Sequence, residues 1–175
     1  MIKRFILGIL MVCAFTSTAH AAAHSLGFAA GSTYGVGLSY SHDNEVWGIQ
    51  GTALPVWDAD SGGMIAAGVN VKRSLHNNGH LGVYTSLGVA GMLTRGIEEE
   101  CYWNEKRGVI AVRRSETNRK NIAFGPGVGF EVLFWKNMLF RFELPIAVHY
   151  GTDSFGVTPI PNVALMYRWK ISEID

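Results

Sequence analysis

Seven ionisable residues lie on the polar side of a two-residue alternation: Lys72, Glu131, Arg141, Glu143, His149, Arg168 and Lys170. A period of two is the period of a β-strand, so these side chains share one face of a sheet and point away from its apolar face. If that face encloses a narrow interior, an isolated charge there is costly and opposite charges must pair. Arg141 and Glu143 lie two residues apart on one segment, and Glu131 and Arg168 come from segments expected beside it. Such a set reads as an ion-paired plug that closes the interior, because ionic networks are common structural solutions. The functional alternative is a gated ion path or a proton-linked site.

Other chemistry is poorly supplied. Cys101 is the one cysteine outside the N-terminal segment, which excludes an internal disulfide and a cysteine-rich metal site. No metal-ligand spacing and no paired catalytic carboxylates stand out. The Gly-x-Gly runs sit inside strand-patterned segments with no following helix, so they are not nucleotide fingerprints. No metal, cofactor or catalytic residue is expected. The net charge of +1 gives no bulk field that would attract nucleic acid.

The elements that must position these residues follow from the same alternation. Eight segments show it: Ser25 to Ala30, Tyr34 to Tyr40, Trp47 to Trp57, Ile65 to Leu75, Leu81 to Leu93, Ile122 to Phe134, Met138 to Tyr150 and Ile160 to Ile171. Most approach the nine to eleven residues with which a tilted strand crosses a bilayer. Tight turns rich in Asn, Asp and Gly follow at His42-Asp43-Asn44-Glu45, Asn77-Asn78-Gly79 and Lys136-Asn137. Longer links, above all Arg95 to Lys120, alternate with them. Bacterial barrels put short turns in the periplasm and long loops outside. With eight strands both termini are therefore periplasmic and the long loop is extracellular.

Aromatic residues decide which face is out. Tyr40, Trp47, Phe134, Phe140 and Trp169 fall on the apolar face beside the tight turns, and Tyr34, Trp57, Phe124 and Tyr150 fall near the opposite ends. Two such bands are what the two interfaces of a bilayer select. The other face is small, with Gly35, Gly37, Gly125, Gly127 and Gly129, as a narrow lumen requires.

The N-terminus agrees with export. Lys3 and Arg4 precede the apolar run Phe5 to Phe15, and Ala19-His20-Ala21 is an A-x-A cleavage site. Residues 1–21 read as a signal peptide and 22–175 as one barrel domain. The last strand ends Asn162-x-Ala164-x-x-Tyr167-x-Trp169. This resembles the signal by which the outer-membrane assembly machinery recognises β-barrel clients, with Ala164 where Gly is usual. By architecture and by this signal the chain resembles the eight-stranded outer-membrane barrels of the OmpA/OmpX type. That resemblance implies a bacterial outer-membrane location, outer-membrane lipid and lipopolysaccharide as surroundings, and the assembly machinery as a partner. His149 and Ser154 invite comparison with the lipid A deacylases on such barrels, but the His-x-Ser spacing is absent and His149 reads as a lumen or rim histidine.

The loop from Arg95 to Lys120 is the distinctive segment. Apolar arms, Cys101-Tyr102-Trp103 and Val109-Ile110-Ala111-Val112, flank Asn104-Glu105-Lys106-Arg107-Gly108. They read as a hairpin that extends two strands beyond the membrane. Trp103, Lys106, Arg107, Arg113 and Arg114 are its candidate binding residues, whose cations suit lipopolysaccharide phosphates. The expectation is thus an all-β, closed, antiparallel eight-stranded transmembrane barrel with a polar, occluded lumen. Its expected role is structural or surface-interacting rather than enzymatic, the alternatives being a lipid-modifying enzyme or a small channel. No extracellular ligand can be named.

Overall fold

In a computed structural model, residues 22–58, 62–104, 109–152 and 155–170 are described, with side chains described except at 57–58, 97–104 and 109–115. All regular structure among them is β-strand. The segments are β1 (Ala23–Gly31), β2 (Gly35–Asp43), β3 (Trp47–Asp58), β4 (Gly62–Asn77), β5 (Leu81–Asn104), β6 (Val109–Phe134), β7 (Met138–Pro145), β8 (Ala147–Gly151), β9 (Phe155–Thr158) and β10 (Asn162–Lys170).

β1 to β7 pair antiparallel in sequence order, β8 pairs β6 and β9, β7 also pairs β10, and the sheet closes where β1 pairs β10, with Ala23 opposite Lys170 and Ala30 opposite Val163. The ring has eight strands, because β7 and β8 are two halves of one strand and β9 and β10 two halves of another. Register runs unbroken across both interruptions: Glu143 and Ala147, on either side of Ile146, pair with Asn162 and Thr158. Proline causes each gap. Ile146 donates its N–H to the Pro126 carbonyl at 2.9 Å, but Pro126 has no N–H to return. The second gap is Pro159-Ile160-Pro161. The eighth barrel strand therefore starts at Phe155, upstream of the Ile160 expected from alternation. Closure leaves no open sheet edge, which is the condition for a sheet to sit in lipid.

The wall separates its two faces as the alternation requires. Val69, Val71, Leu87, Val89, Val128, Leu144 and Leu165 are exposed on the outside. Tyr40, Trp47 and Tyr167 are exposed near the tight turns, and Phe124, Tyr150 and Phe155 near the opposite, hairpin end. At the turn end Arg73 lies over the Trp47 ring, 5.7 Å from its centroid. This lets a long cationic side chain rest along the belt with its head at the interface. Between the bands the outer aromatics are phenylalanines: the Phe130 and Phe142 centroids are 5.5 Å apart.

One expected outward aromatic is not outward. Tyr34 is 2% exposed and points into the lumen. It falls in the turn before β2, and Gly35 has φ of 74°. That left-handed residue breaks the alternation just where the strand begins. The side chain of Trp57 lies outside the described residues.

Candidate functional site

The interior of the barrel holds a polar network in two layers. Nearer the tight turns, Arg141 is completely buried. Its Nε donates to Glu131 Oε2 at 3.0 Å, its Nη1 to Gln50 Oε1 at 2.9 Å, and its Nη2 to Asp43 Oδ2. Lys72 Nζ lies 2.5 Å from Glu131 Oε2 and 3.2 Å from Asp43 Oδ1. Two cations and two carboxylates thus form a closed ring of contacts drawn from β2, β4, β6 and β7. Arg168 Nη1 sits at its edge, 3.8 Å from Glu131 Oε1.

The second layer surrounds Glu143, which is also fully buried. Among the described residues it has no cationic partner. Neutral donors solvate it: Asn162 Nδ2 at 2.8 Å, the Tyr34 hydroxyl at 3.1 Å and Asn70 Nδ2 at 3.4 Å. The Tyr34 and Tyr84 hydroxyls are 3.0 Å apart, and Asn162 Nδ2 also donates to Thr33 Oγ1 at 2.6 Å. Across both layers Asp43, Glu131 and Glu143 balance Lys72, Arg141 and Arg168 in formal charge.

Strand register explains how side chains from facing walls meet. Glu131 and Arg141 are direct cross-strand partners, and Glu143 lies opposite Asn162. Asp43 and Lys72 are both in register with Gly48 of β3. A Cβ built on Gly48 would fall 2.6 Å from Lys72 Cε and into the Asp43 carboxylate. One on Gly127 would fall 2.7 Å from Glu143 Oε1. At Gly48 and Gly127 the missing side chain is therefore the space into which charged groups extend, while Leu139, Met166, Ala29, Ala164 and Tyr34 form a small buried apolar cluster in the same interior.

The remaining space is small in this region. A cavity of about 10 Å³ lies beside Lys72, Glu131 and Arg168, enough for about one water. The contact set is a buried cluster of paired and hydrogen-bonded charges. Each carboxylate is held by donors and each of the two central cations by acceptors, as buried ions require.

Of the seven residues expected on the lumen side, Lys72, Glu131, Arg141, Glu143 and Arg168 lie in this cluster, and His149 and Lys170 lie apart from it. Arg141 and Glu143, although two apart on one strand, serve different layers. Asp43 was missed: it reads as part of a turn, whereas β2 runs through it and turns its 2% exposed side chain inward. Gln50, Asn70, Tyr84 and Tyr34 complete the network, and the first three could have been found on the lumen side of their strands. Lys170 is exposed at the end of β10.

His149 is half-buried on β8, opposite Ala123, and its Nε2 is buried with no hydrogen-bond partner among the described residues. It borders a separate cavity of about 260 Å³ at the hairpin end, lined largely by Ala, Gly and Met92. Ser154 lies outside the described residues. Of the C-terminal pattern, Asn162 and Ala164 are buried inward, Tyr167 is exposed and accepts from Asn137 Nδ2 at 2.8 Å, and Trp169 stacks on His24.

The hairpin arms pair without interruption from Leu81 opposite Val132 to Asn104 opposite Val109. Trp103 lies opposite Ile110, Glu100 opposite Arg113 and Glu99 opposite Arg114 in backbone register. At the base Arg95 Nη2 donates to Glu116 Oε1 at 2.7 Å. Lys106 and Arg107 lie outside the described residues, as do residues 1–21 and 171–175.

No family model and no curated protein matches the sequence. Solved structures are similar to it in chain path. The N-terminal β-barrel domain of Pseudomonas aeruginosa OprF aligns over 87% of this chain and 100% of its own, at 14% identity and a TM-score of 0.46. Ail, the attachment invasion locus protein of Yersinia pestis, aligns over 86% of this chain and 100% of its own, at 14% identity and 0.41. Neisserial surface protein A aligns over 86% and 94%, at 12% identity and 0.34. The chain is a closed, antiparallel eight-stranded β-barrel with an apolar outer belt and a polar interior, and in this it resembles the small outer-membrane barrels of the OmpA/OmpX type.

Proposed function

We propose that this barrel is a non-enzymatic scaffold of the bacterial outer membrane that holds the β5–β6 hairpin at the cell surface for contact with anionic partners. The observation that carries the reading is the length of that hairpin. Strands of nine to eleven residues cross a bilayer, whereas β5 has 24 residues and β6 has 26, paired throughout. The surplus is continuous sheet, so it projects as a defined element rather than a slack loop. Binding residues concentrate on such loops held by a rigid frame.

Arg107, Arg113 and Arg114, with Lys106, would supply charge-assisted contacts to lipopolysaccharide phosphates, and Trp103 a flat apolar surface beside them. The termini are periplasmic in this reading, and the pattern through Asn162, Ala164, Tyr167 and Trp169 serves the assembly machinery.

The test shortens Glu98–Glu116 to a tight turn. The barrel should still fold, as read by heat-modified gel mobility, because its ring closes below the deletion. Binding to lipopolysaccharide or other anionic surfaces should fall, and the parent's binding should weaken as salt is added. A folded variant with undiminished binding rejects the hairpin as the site.

A further inference from the structure

The mouth at the turn end of the barrel holds a second feature, remote from the hairpin. A cavity of about 340 Å³ is bounded by the β4–β5 turn at Gly79, the β6–β7 turn at Lys136 and Asn137, and the end of β10 at Arg168 and Lys170. Three of these residues are cationic, and no Asp or Glu among the described residues lines the cavity. Arg168 also completes the charge balance of the network just above, so the excess charge of the mouth is that of Lys136 and Lys170.

Arg168 stands between the network and the mouth. Glu131 Oε2 is already taken by Lys72 at 2.5 Å and Arg141 at 3.0 Å, so among the described residues the ion pair of Arg168 is the 3.8 Å approach to Oε1. Its Nε is buried without an acceptor among the described residues. A guanidinium carries five N–H donors in a fixed fork, and among the described residues no side-chain hydrogen bond uses those of Arg168. The frame around it is defined. The Arg168 N–H donates to the Asn137 carbonyl at 2.7 Å, and Asn137 Nδ2 donates to the Tyr167 hydroxyl at 2.8 Å. Lys136 is held in the left-handed conformation, with φ of 62°, which fixes its place on the rim.

A forked donor flanked by two ammonium groups matches an anion with several oxygens on one centre. We infer that this mouth binds a phosphate group, with Arg168 supplying the forked contact and Lys136 and Lys170 the flanking charge. The cavity is larger than one phosphate ion, so it leaves room for what the phosphate is attached to. Because Arg168 also lines the small gap beside Lys72 and Glu131, the bound group rests against the outer edge of the charge cluster.

The test uses the full folded chain in an amine-oxide detergent, which carries no phosphate. Inorganic phosphate is titrated while the Arg168 Nε–H resonance is followed by NMR and heat by calorimetry. The expected result is a saturable shift of that resonance, weakened by chloride. Affinity should drop about tenfold or more in K136Q/K170Q, whose altered side chains lie on the rim, and vanish in R168Q. A parallel titration in bilayer discs, neutral glycolipid against added phosphatidylglycerol, identifies the source. Saturation by the lipid alone assigns the site to a headgroup; saturation by inorganic phosphate assigns it to a diffusible phosphate compound. No shift with either probe overturns the inference, as does binding that persists in both K136Q/K170Q and R168Q. It is also overturned if phosphate binds only after E173Q/D175N, since the chain's own C-terminal carboxylates would then be the natural counter-ions.

Discussion

At the scale of single residues, Arg141 organises the interior. It is fully buried and reaches Asp43, Glu131 and Gln50 from one guanidinium. Removing it alone leaves Asp43 and Glu131 facing each other with only Lys72 between them. Breaking a buried pair from one side typically costs about 3–5 kcal/mol, whereas replacing both partners with apolar groups is often near neutral. Arg141→Met should therefore lower stability by that order in urea titrations in lipid or detergent, and so should Asp43→Leu. The double variant should be less destabilised than the sum of the two. Strict additivity would mean that the residues are not coupled. The alternation placed Arg141 in the lumen but could not find its main partner. Asp43 stands in a run of His, Asp, Asn and Glu whose composition is that of a turn. Only the register with Gly48 shows that β2 continues through it. Tyr34 misled for the opposite reason: the period of two was extended past the point where Gly35 reverses the backbone.

At the scale of elements, the strands were legible because each buries one side against polar matter and shows the other to lipid, so period two persists for the whole crossing. Their ends were less legible, because beyond the membrane the physical cause of the alternation disappears. The hairpin arms are paired backbone whose sequence loses the alternation at Glu98-Glu99-Glu100, and the Phe155–Thr158 segment, although Phe155 and Val157 continue the outward stripe, is cut off from β10 by Pro159 and Pro161. The proline interruptions test this account. Pro126 faces Ile146 in a position where an ordinary residue would return a hydrogen bond to the Ile146 carbonyl. Pro126→Ala should add that bond and stabilise the barrel by about 0.5–1.5 kcal/mol. The amide that this substitution creates should be protected from hydrogen exchange. A fast-exchanging amide at that position would show that the gap between β7 and β8 has another cause.

At the scale of the whole molecule, the charge-filled interior and the apolar exterior make separate predictions. The charge cluster, with room for about one water beside it, should give little or no conductance in planar bilayers. Steady, well-resolved channels would show instead that the network opens. The exterior prediction turns on depth. Val128 and Leu144 are cross-strand partners in the middle of the apolar belt, 58% and 51% exposed. Leu26 is similarly exposed but lies opposite Tyr40 on one side and Tyr167 on the other, within the turn-end aromatic band. An arginine near the midplane of a bilayer costs about 2–4 kcal/mol, against about 0–1 near an interface, where its head reaches water. Val128→Arg and Leu144→Arg should therefore destabilise the barrel in lipid vesicles by clearly more than Leu26→Arg. A barrel in water would give no such gradient, because all three positions would already be solvated. Folding measured in vesicles for the three variants decides between these cases, and equal costs at the two depths would remove the bilayer from the explanation of this surface.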